Sequence, residues 1–389
     1  MRTRWSLSVL AVVVFLVIVV PFGQAPGDRA PTSQLVAQPP ASNNTALSAP
    51  TTTTAATTPV RPVVHLVWTG EGIDKEFRDS VRELYPVMSV VQGDVVLLDI
   101  ERAGWFIPLD AIEIDPEKHA DVWQAPELRK LAGGQVVLSQ SSAALRGAIL
   151  GDSLSIEGHH FEVSGIVPDE MVGAAEVVFH REDENSPVKT TRYLLVAADM
   201  TAGAFADSIR AINPDLHLRI RTEGDVPFLR SADAVAPQVM IKAALGEFAI
   251  NPGSGRAFEQ DEEWQDESIV AASLPLVGTS KCHRVVAERA TAALSEIADQ
   301  GLGRLIDPDG YAGCWVARFI GGNRGVSRHA WGAAIDINAP DNLFGTSGDM
   351  DRRIVEIMER HGFTWGGRWL TPDPMHFEYL PAGFDPAGS

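Results

Sequence analysis

Residues 63 to 236 are dominated by short apolar runs rich in β-branched side chains and set off by Gly, Asp and Pro. VVHLVW (63–68), DVVLLDI (94–100), QVVLSQ (135–140), SLSIEGHHFEVSGIV (153–167) and RYLLVAAD (192–199) all have strand length. Branched side chains favour such runs as strands because they pack well on a pleated, half-buried surface. SVRELY (80–85) and ADSIRAI (206–212) show helical spacing instead. Strands with helices interspersed predict an α+β fold of strand-rich character.

From about Pro237 the pattern changes. After a loop carrying the acidic stretch EQDEEWQDE (259–267), VVAERATAALSEIADQGL (285–302) sets apolar residues at helical spacing and stops at Gly301. GDMDRRIVEIMERHGF (348–363) predicts a second amphipathic helix, with an aspartate near its start and Gly362 as its stop. The acidic stretch reads as solvated surface, since the glycine and ligand order of a calcium loop are missing.

The N-terminus adds a location. Arg2 and Arg4 precede an uncharged span from Trp5 to Pro26 whose apolar heart is VLAVVVFLVIVV (9–20). Two readings stay open for residues 1–26: a signal peptide cleaved after the small residues Gly23-Gln24-Ala25, or an uncleaved membrane anchor. Either one puts the rest of the chain outside the cytoplasm, because the arginines stay inside. Residues 27–62, with TTTTAATTP at 51–59, are too poor in apolar side chains to form a core and read as a disordered or extended tether. The expected plan is therefore segment 1–26, tether 27–62, an α+β accessory domain at 63–236 and a second domain at 237–389.

Composition narrows the function. A formal net charge of −19 over 389 residues argues against a nucleic-acid partner, because phosphate backbones select basic surfaces. The chain has two cysteines, Cys282 and Cys314. In an exported protein an even count favours a disulfide over two separate buried thiols. Such a bridge stabilises by roughly 3 kcal/mol on the chain-entropy estimate.

Candidate chemistry concentrates in two stretches, SRHAWGAAIDIN (327–338) and DPMHFE (373–378). In AAIDIN an alternating strand sets Ala334, Asp336 and Asn338 on one face, with Ile335 and Ile337 anchoring the other. Gly332 permits a bend that aims His329 at the same point as Asp336, and His376 sits in an extended run with Phe377 turned away. Two histidines and a carboxylate suit Zn²⁺ and leave its fourth position for water. Asp373, across the Pro374 turn, is placed to act as general base. The small residues at 332–334 are expected to keep this space open, so that bulk at Gly332 or Ala334 would impair activity more than folding.

The pair S-x-H-x-x-G-x-A-x-D and D-P-M-H-F-E resembles the M15 zinc peptidases, the VanY-like D-alanyl-D-alanine carboxypeptidases and L-alanyl-D-glutamate endopeptidases that cut peptidoglycan stem peptides. CHR (282–284), GCWVAR (313–318) and WGGRW (365–369) carry the resemblance across most of 237–389. It implies a small zinc-peptidase domain with a central antiparallel sheet flanked by helices. It also implies His329, Asp336 and His376 as zinc ligands, Asp373 as base and Arg318 as the group that stabilises the reacting carbonyl. Many relatives have glutamate at the base position, and aspartate is found in the endopeptidase-like branch. Separately, ALRGAILGDSLSIEGHHFEVSGIVPD resembles a hairpin in the extracellular domains of FtsX-like and MacB-like transporter subunits.

Several residues carry two readings. Ser327 binds substrate or caps the turn before His329. Glu378 orients a ligand from behind or faces solvent. Trp331, Trp365 and Trp369 wall a cleft or pack the core, with packing favoured. His159, His160, His283 and His361 lack partners at ligand spacing. For the whole protein, a peptidase of stem peptides stands against a non-catalytic cell-wall binder or scaffold built on the same fold.

Overall fold

The computed structural model describes residues 62–70, 72–225, 236–321 and 325–381. The expected export segment and nearly all of the tether lie outside them. Among the described residues no helix is long and apolar enough to cross a membrane.

The chain is mixed α and β, as its patterning predicts. Strands β1 (Val63–Trp68), β2 (Met88–Asp99), β3 (Phe106–Ile114), β4 (Gln135–Ser139), β5 (Ser153–Ile156), β6 (His159–Val167), β7 (Val177–His180), β8 (Thr191–Ala198) and β9 (Arg219–Thr222) alternate with helices. The helices among them are α1 (Lys75–Leu84), α2 (Pro116–Trp123), α3 (Gln140–Arg146), α4 (Asp169–Val172) and α5 (Ala202–Ile212). Pairing in the order β3-β7-β4-β6-β5-β2, with β2 returning to β3, closes six strands into a ring. Alternate side chains from all six, among them Val96, Leu109, Val136, Ile156, Phe161 and Phe179, form one buried cluster inside it. The register of β2 shifts between Val91 and Gln92, so its first half pairs with β8 while its second half pairs with β3. A bulge bends a strand in this way and lets it serve two neighbours. The expected hairpin is β5 and β6, joined by Glu157 and Gly158, both at positive φ. His159 and His160 emerge from it exposed.

The sheet does not stop at the expected boundary near residue 236. After α6 (Gln238–Leu245), strands β10 (Ile250–Pro252) and β11 (Phe258–Gln260) add to its edge at β3. EQDEEWQDE is no loop: it finishes β11 and forms α7 (Glu262–Ser268), capped by the Asp261 side chain and anchored by buried Trp264. An acidic first turn favours this helix, because negative charge complements the positive end of the helix dipole.

The remaining core gathers around α8 (Arg284–Asp299) and α9 (Arg352–Arg360). It is completed by the hairpin β12 (Ile269–Leu274) and β13 (Gly278–His283), the short pair β14 (Phe319–Ile320) and β15 (Gly325–Val326), and a three-stranded sheet. That sheet runs β16 (Ala334–Asp336), β18 (His376–Tyr379), β17 (Phe363–Trp365), all antiparallel. The Asp351 side chain caps α9. His283 caps α8 and places its Nε2 3.2 Å from the Leu245 carbonyl oxygen, while His361 Nε2 lies 2.7 Å from Glu296. Those two histidines are thereby structural.

Candidate metal centre

Strand register does the first part of the assembly. In the antiparallel pair β16–β18, Asp336 stands directly opposite His376. Opposite residues on adjacent strands project to the same face, and Asp336 Oδ1 lies 2.9 Å from His376 Nδ1. His329 arrives from the 3-10 turn 328–331, which ends at Gly332 in the left-handed region with φ of 60°. Its Nδ1 is 2.8 Å from the Cys314 carbonyl oxygen. A carbonyl only accepts, so Nδ1 carries a proton and Nε2 is the ring nitrogen turned inward.

That Nε2 is buried, lies 3.1 Å from Asp336 Oδ2, and has no hydrogen-bond partner. A ring nitrogen facing a carboxylate at this distance calls for a proton or a metal ion between them. The donor atoms of His329, Asp336 and His376 all lie within 4.8 Å of one another. Two imidazoles and a carboxylate, with an orphaned nitrogen among them, fit Zn²⁺ as a three-ligand catalytic type of site.

Burial disfavours charge on Asp336, but the facing His329 and His376 rings outweigh it and hold its carboxyl well below the usual range. For His376 burial also opposes charge, yet hydrogen bonding and charge from Asp336 and Glu378 lift it to about 10.

Asp373 starts the turn into β18. Its N–H donates to the Gly366 carbonyl (3.0 Å), and its own carbonyl accepts from His376 N–H (3.1 Å). Its Oδ1 is buried without a partner. Burial chiefly, with help from the Asp336 charge, pushes this carboxyl up, against the pull of His376, His329 and Arg318. A carboxyl raised in this way is suited to taking and returning a proton. The Arg318 charge also pulls on the Asp373 carboxyl, and the Arg318 carbonyl accepts from Ser327 N–H (3.1 Å). Ser327 itself is buried and its hydroxyl accepts from His329 N–H (3.3 Å), which is the capping role.

The disulfide joins Cys282 to Cys314 with Cα atoms 5.3 Å apart. It fixes the segment whose Cys314 carbonyl accepts from His329 Nδ1 and which leads on to Arg318.

Some expectations change. A Cβ on Gly332 would stand 2.5 Å from the backbone nitrogen of His283. The glycine therefore admits the neighbouring chain, whose His283 N–H donates to the Gly332 carbonyl (3.2 Å), rather than keeping room for a ligand. Ala333 and Ala334 are fully buried, so bulk there damages packing before it reaches the site. The glycine that does shape the site is Gly366, where a Cβ would meet the Asp373 carbonyl oxygen at 2.6 Å and His376 Cβ at 3.3 Å. Trp331 and Trp365 pack in the core, but the Trp369 ring lies 5.3 Å from that of His376 with its Nε1 buried and unpartnered. Glu378 is buried: its Oε2 is 3.8 Å from His376 Nε2 and its Oε1 accepts from Arg328 Nε at 3.0 Å. Sequence reasoning missed Arg328, whose Nη2 donates to the Ala236 carbonyl (2.6 Å). The available signal was its place between two site residues in SRH, where a buried arginine requires a buried acid.

With this geometry, residues 321–379 match the sequence model of an M15 peptidase family described as D-alanyl-D-alanine carboxypeptidase. The matched segment holds His329, Asp336, Asp373 and His376, and stops short of Arg318 and both cysteines. It supports a peptidase of the M15 type. No curated protein matches the chain. Among solved structures, the chain is similar to the periplasmic region of MacB from Actinobacillus actinomycetemcomitans, with 10% identity and a TM-score of 0.29 over 40% of this chain and 87% of that one. It is also similar to a permease-protein domain from Porphyromonas gingivalis, with 10% identity and a TM-score of 0.26 over 41% and 87% of the two chains.

Proposed function

We propose that the protein is an exported, zinc-dependent peptidase that hydrolyses peptidoglycan stem peptides, removing a terminal D-alanine or cutting between L-alanine and D-glutamate. The observation that carries this reading is the convergence of His329, Asp336 and His376 beside Asp373, with His329 Nε2 and Asp373 Oδ1 both buried and unpartnered.

His329, Asp336 and His376 would hold the metal, which when bound acidifies a water molecule and polarises the scissile carbonyl. Asp373 takes the proton of the attacking water and returns it to the leaving amine, a task suited to a carboxyl whose burial raises its proton affinity. The Arg318 guanidinium stabilises negative charge as it develops on the carbonyl oxygen. Arg328 fixes Glu378, and Glu378 holds the His376 ring from behind.

A non-catalytic binder of stem peptides on the same fold has no need for a raised carboxyl beside three ligands. The test is mass spectrometry of defined muropeptides incubated with the protein, with and without a chelator. Cleavage that stops on chelation and resumes with Zn²⁺ is expected, and the product mass identifies the bond. Uncut muropeptides in the presence of Zn²⁺ would leave the binder as the better reading.

A further inference from the structure

A cavity of about 290 Å³ lies away from the metal centre, lined from α1, β2, β8 and Arg181, the residue that follows β7. Four of its eight lining residues are cations, Lys75, Arg78, Arg82 and Arg181. This concentration occurs in a chain of net charge −19 that has 32 Lys and Arg in 389 residues. The spacing of Lys75, Arg78, Asp79 and Arg82 puts all four on one face of α1, while Phe77 and Val81 bury the other. Asp79, the acidic member of the lining, is shared between Lys75 (2.6 Å) and Arg82 (2.9 Å). Positive charge therefore remains in excess.

Arg78 and Arg181 are held by neutral acceptors. Arg78 Nη1 donates to Thr191 Oγ1 (3.2 Å) and to the Ile73 carbonyl (3.3 Å). Arg181 Nη2 donates to the Val90 carbonyl (2.7 Å), and its Nε is without a partner. Such acceptors orient a guanidinium without cancelling its charge. Glu113 and Asp115 feel the Arg181 charge, but Glu113 accepts from Ser186 (2.7 Å) and Asp115 from Lys118 (2.6 Å).

We propose that this cavity binds a phosphate group carried by a molecule of sugar or glycerol size. A phosphate monoester brings close to two negative charges and three acceptor oxygens, which the guanidinium forks and the ammonium of this lining can meet together. A lone carboxylate would leave most of the positive charge unanswered. Gln92 and Thr191 supply neutral polar lining for the attached hydroxyls.

The experiment is calorimetric titration of the full chain with glycerol 3-phosphate at low salt, with acetate as the carboxylate control. A parallel arm measures sedimentation with vesicles of phosphatidylglycerol and phosphatidylcholine against phosphatidylcholine alone. Saturable binding of glycerol 3-phosphate, weakened about tenfold or more by Arg78→Ala and several-fold by the exposed pair Lys75→Ala and Arg82→Ala, supports the site. The surface pair guards against a loss caused only by misfolding, since Arg78 also ties α1 to β8. Sedimentation with the anionic vesicles that both variants abolish, with glycerol 3-phosphate inert, assigns the same phosphate chemistry to a lipid headgroup. The proposal is overturned if neither probe binds, if acetate binds as well as the phosphate ester, or if both sets of variants bind like the parent.

Discussion

Among the described residues, two buried clusters of charge are finished differently. At the junction between the closed ring and α6, Lys242 Nζ lies 2.8 Å from Glu176 and 2.9 Å from Glu247, and donates to the Pro108 carbonyl at 2.6 Å. Arg146 pairs with both acids, and Gln238 donates to Glu176 Oε1 at 2.9 Å. Every carboxylate there meets cations, and one guanidinium nitrogen, Arg146 Nε, lacks a partner. At the candidate metal centre the unpartnered atoms are instead His329 Nε2, Asp373 Oδ1 and Trp369 Nε1. Burial pushes carboxyls up in both places. At the junction Lys242 and Arg146 reverse this and hold Glu176 low, whereas Asp373 stays raised. The junction answers each of its carboxylates with cations, while the candidate centre keeps a buried carboxylate oxygen and a buried imidazole nitrogen unanswered.

The widest expected contrast comes from Asp373→Asn. Stem-peptide hydrolysis should fall by about 10²–10⁴-fold, with the urea midpoint unchanged or higher because a buried unpartnered carboxyl is gone. Retained turnover breaks the assignment of the base.

Next in size, Lys242→Met leaves Arg146 as the remaining cation for buried Glu176 and half-buried Glu247 and should cost up to about 3–5 kcal/mol in urea unfolding, without a matching loss of turnover per folded molecule. A neutral result would mean that the junction does not depend on its pairing.

Glu378→Gln sharpens the other side. Chelator competition should show Zn²⁺ affinity lowered about 10–100-fold, because the His376 ring loses its anionic support. Unchanged affinity would make Glu378 a packing residue.

The smallest effect is in pH. The folded-state pKa of Glu176 lies below its ordinary value of 4.5, so its stabilisation is present above that pH and drains away as pH falls through the depressed value. Unfolding free energies between pH 7 and pH 3 should decline less steeply in Glu176→Gln. An identical slope would place the acid sensitivity elsewhere.

Much of this was legible in the chain. β1, β4, β5 and β6 begin or end at their sequence-read boundaries to within a residue, and α8 and α9 follow their apolar spacing. These elements bury one face each, and a periodic face is a local property. The acidic stretch at 259–267 was misread because Trp264 decides its fate, and whether a lone tryptophan is buried depends on what packs against it. The candidate ligands were legible because small spacings and residue chemistry mark them. Arg328, Gly366 and Trp369 were not, since their roles are contacts with residues distant in sequence or beyond the turn.

The sequence by itself determined the alternation of strands and helices, the identities of three candidate ligands and a base, and the possibility of one disulfide. Tertiary structure alone decided that Asp336 stands opposite His376, that a carbonyl from Cys314 accepts the His329 Nδ1 proton in a hydrogen bond, and that Glu378 is buried between His376 and Arg328. It also closed the ring and carried the sheet past residue 236. The reason is physical: spacing fixes which way a side chain projects from its own element, but strand register and burial arise only when separate elements pack.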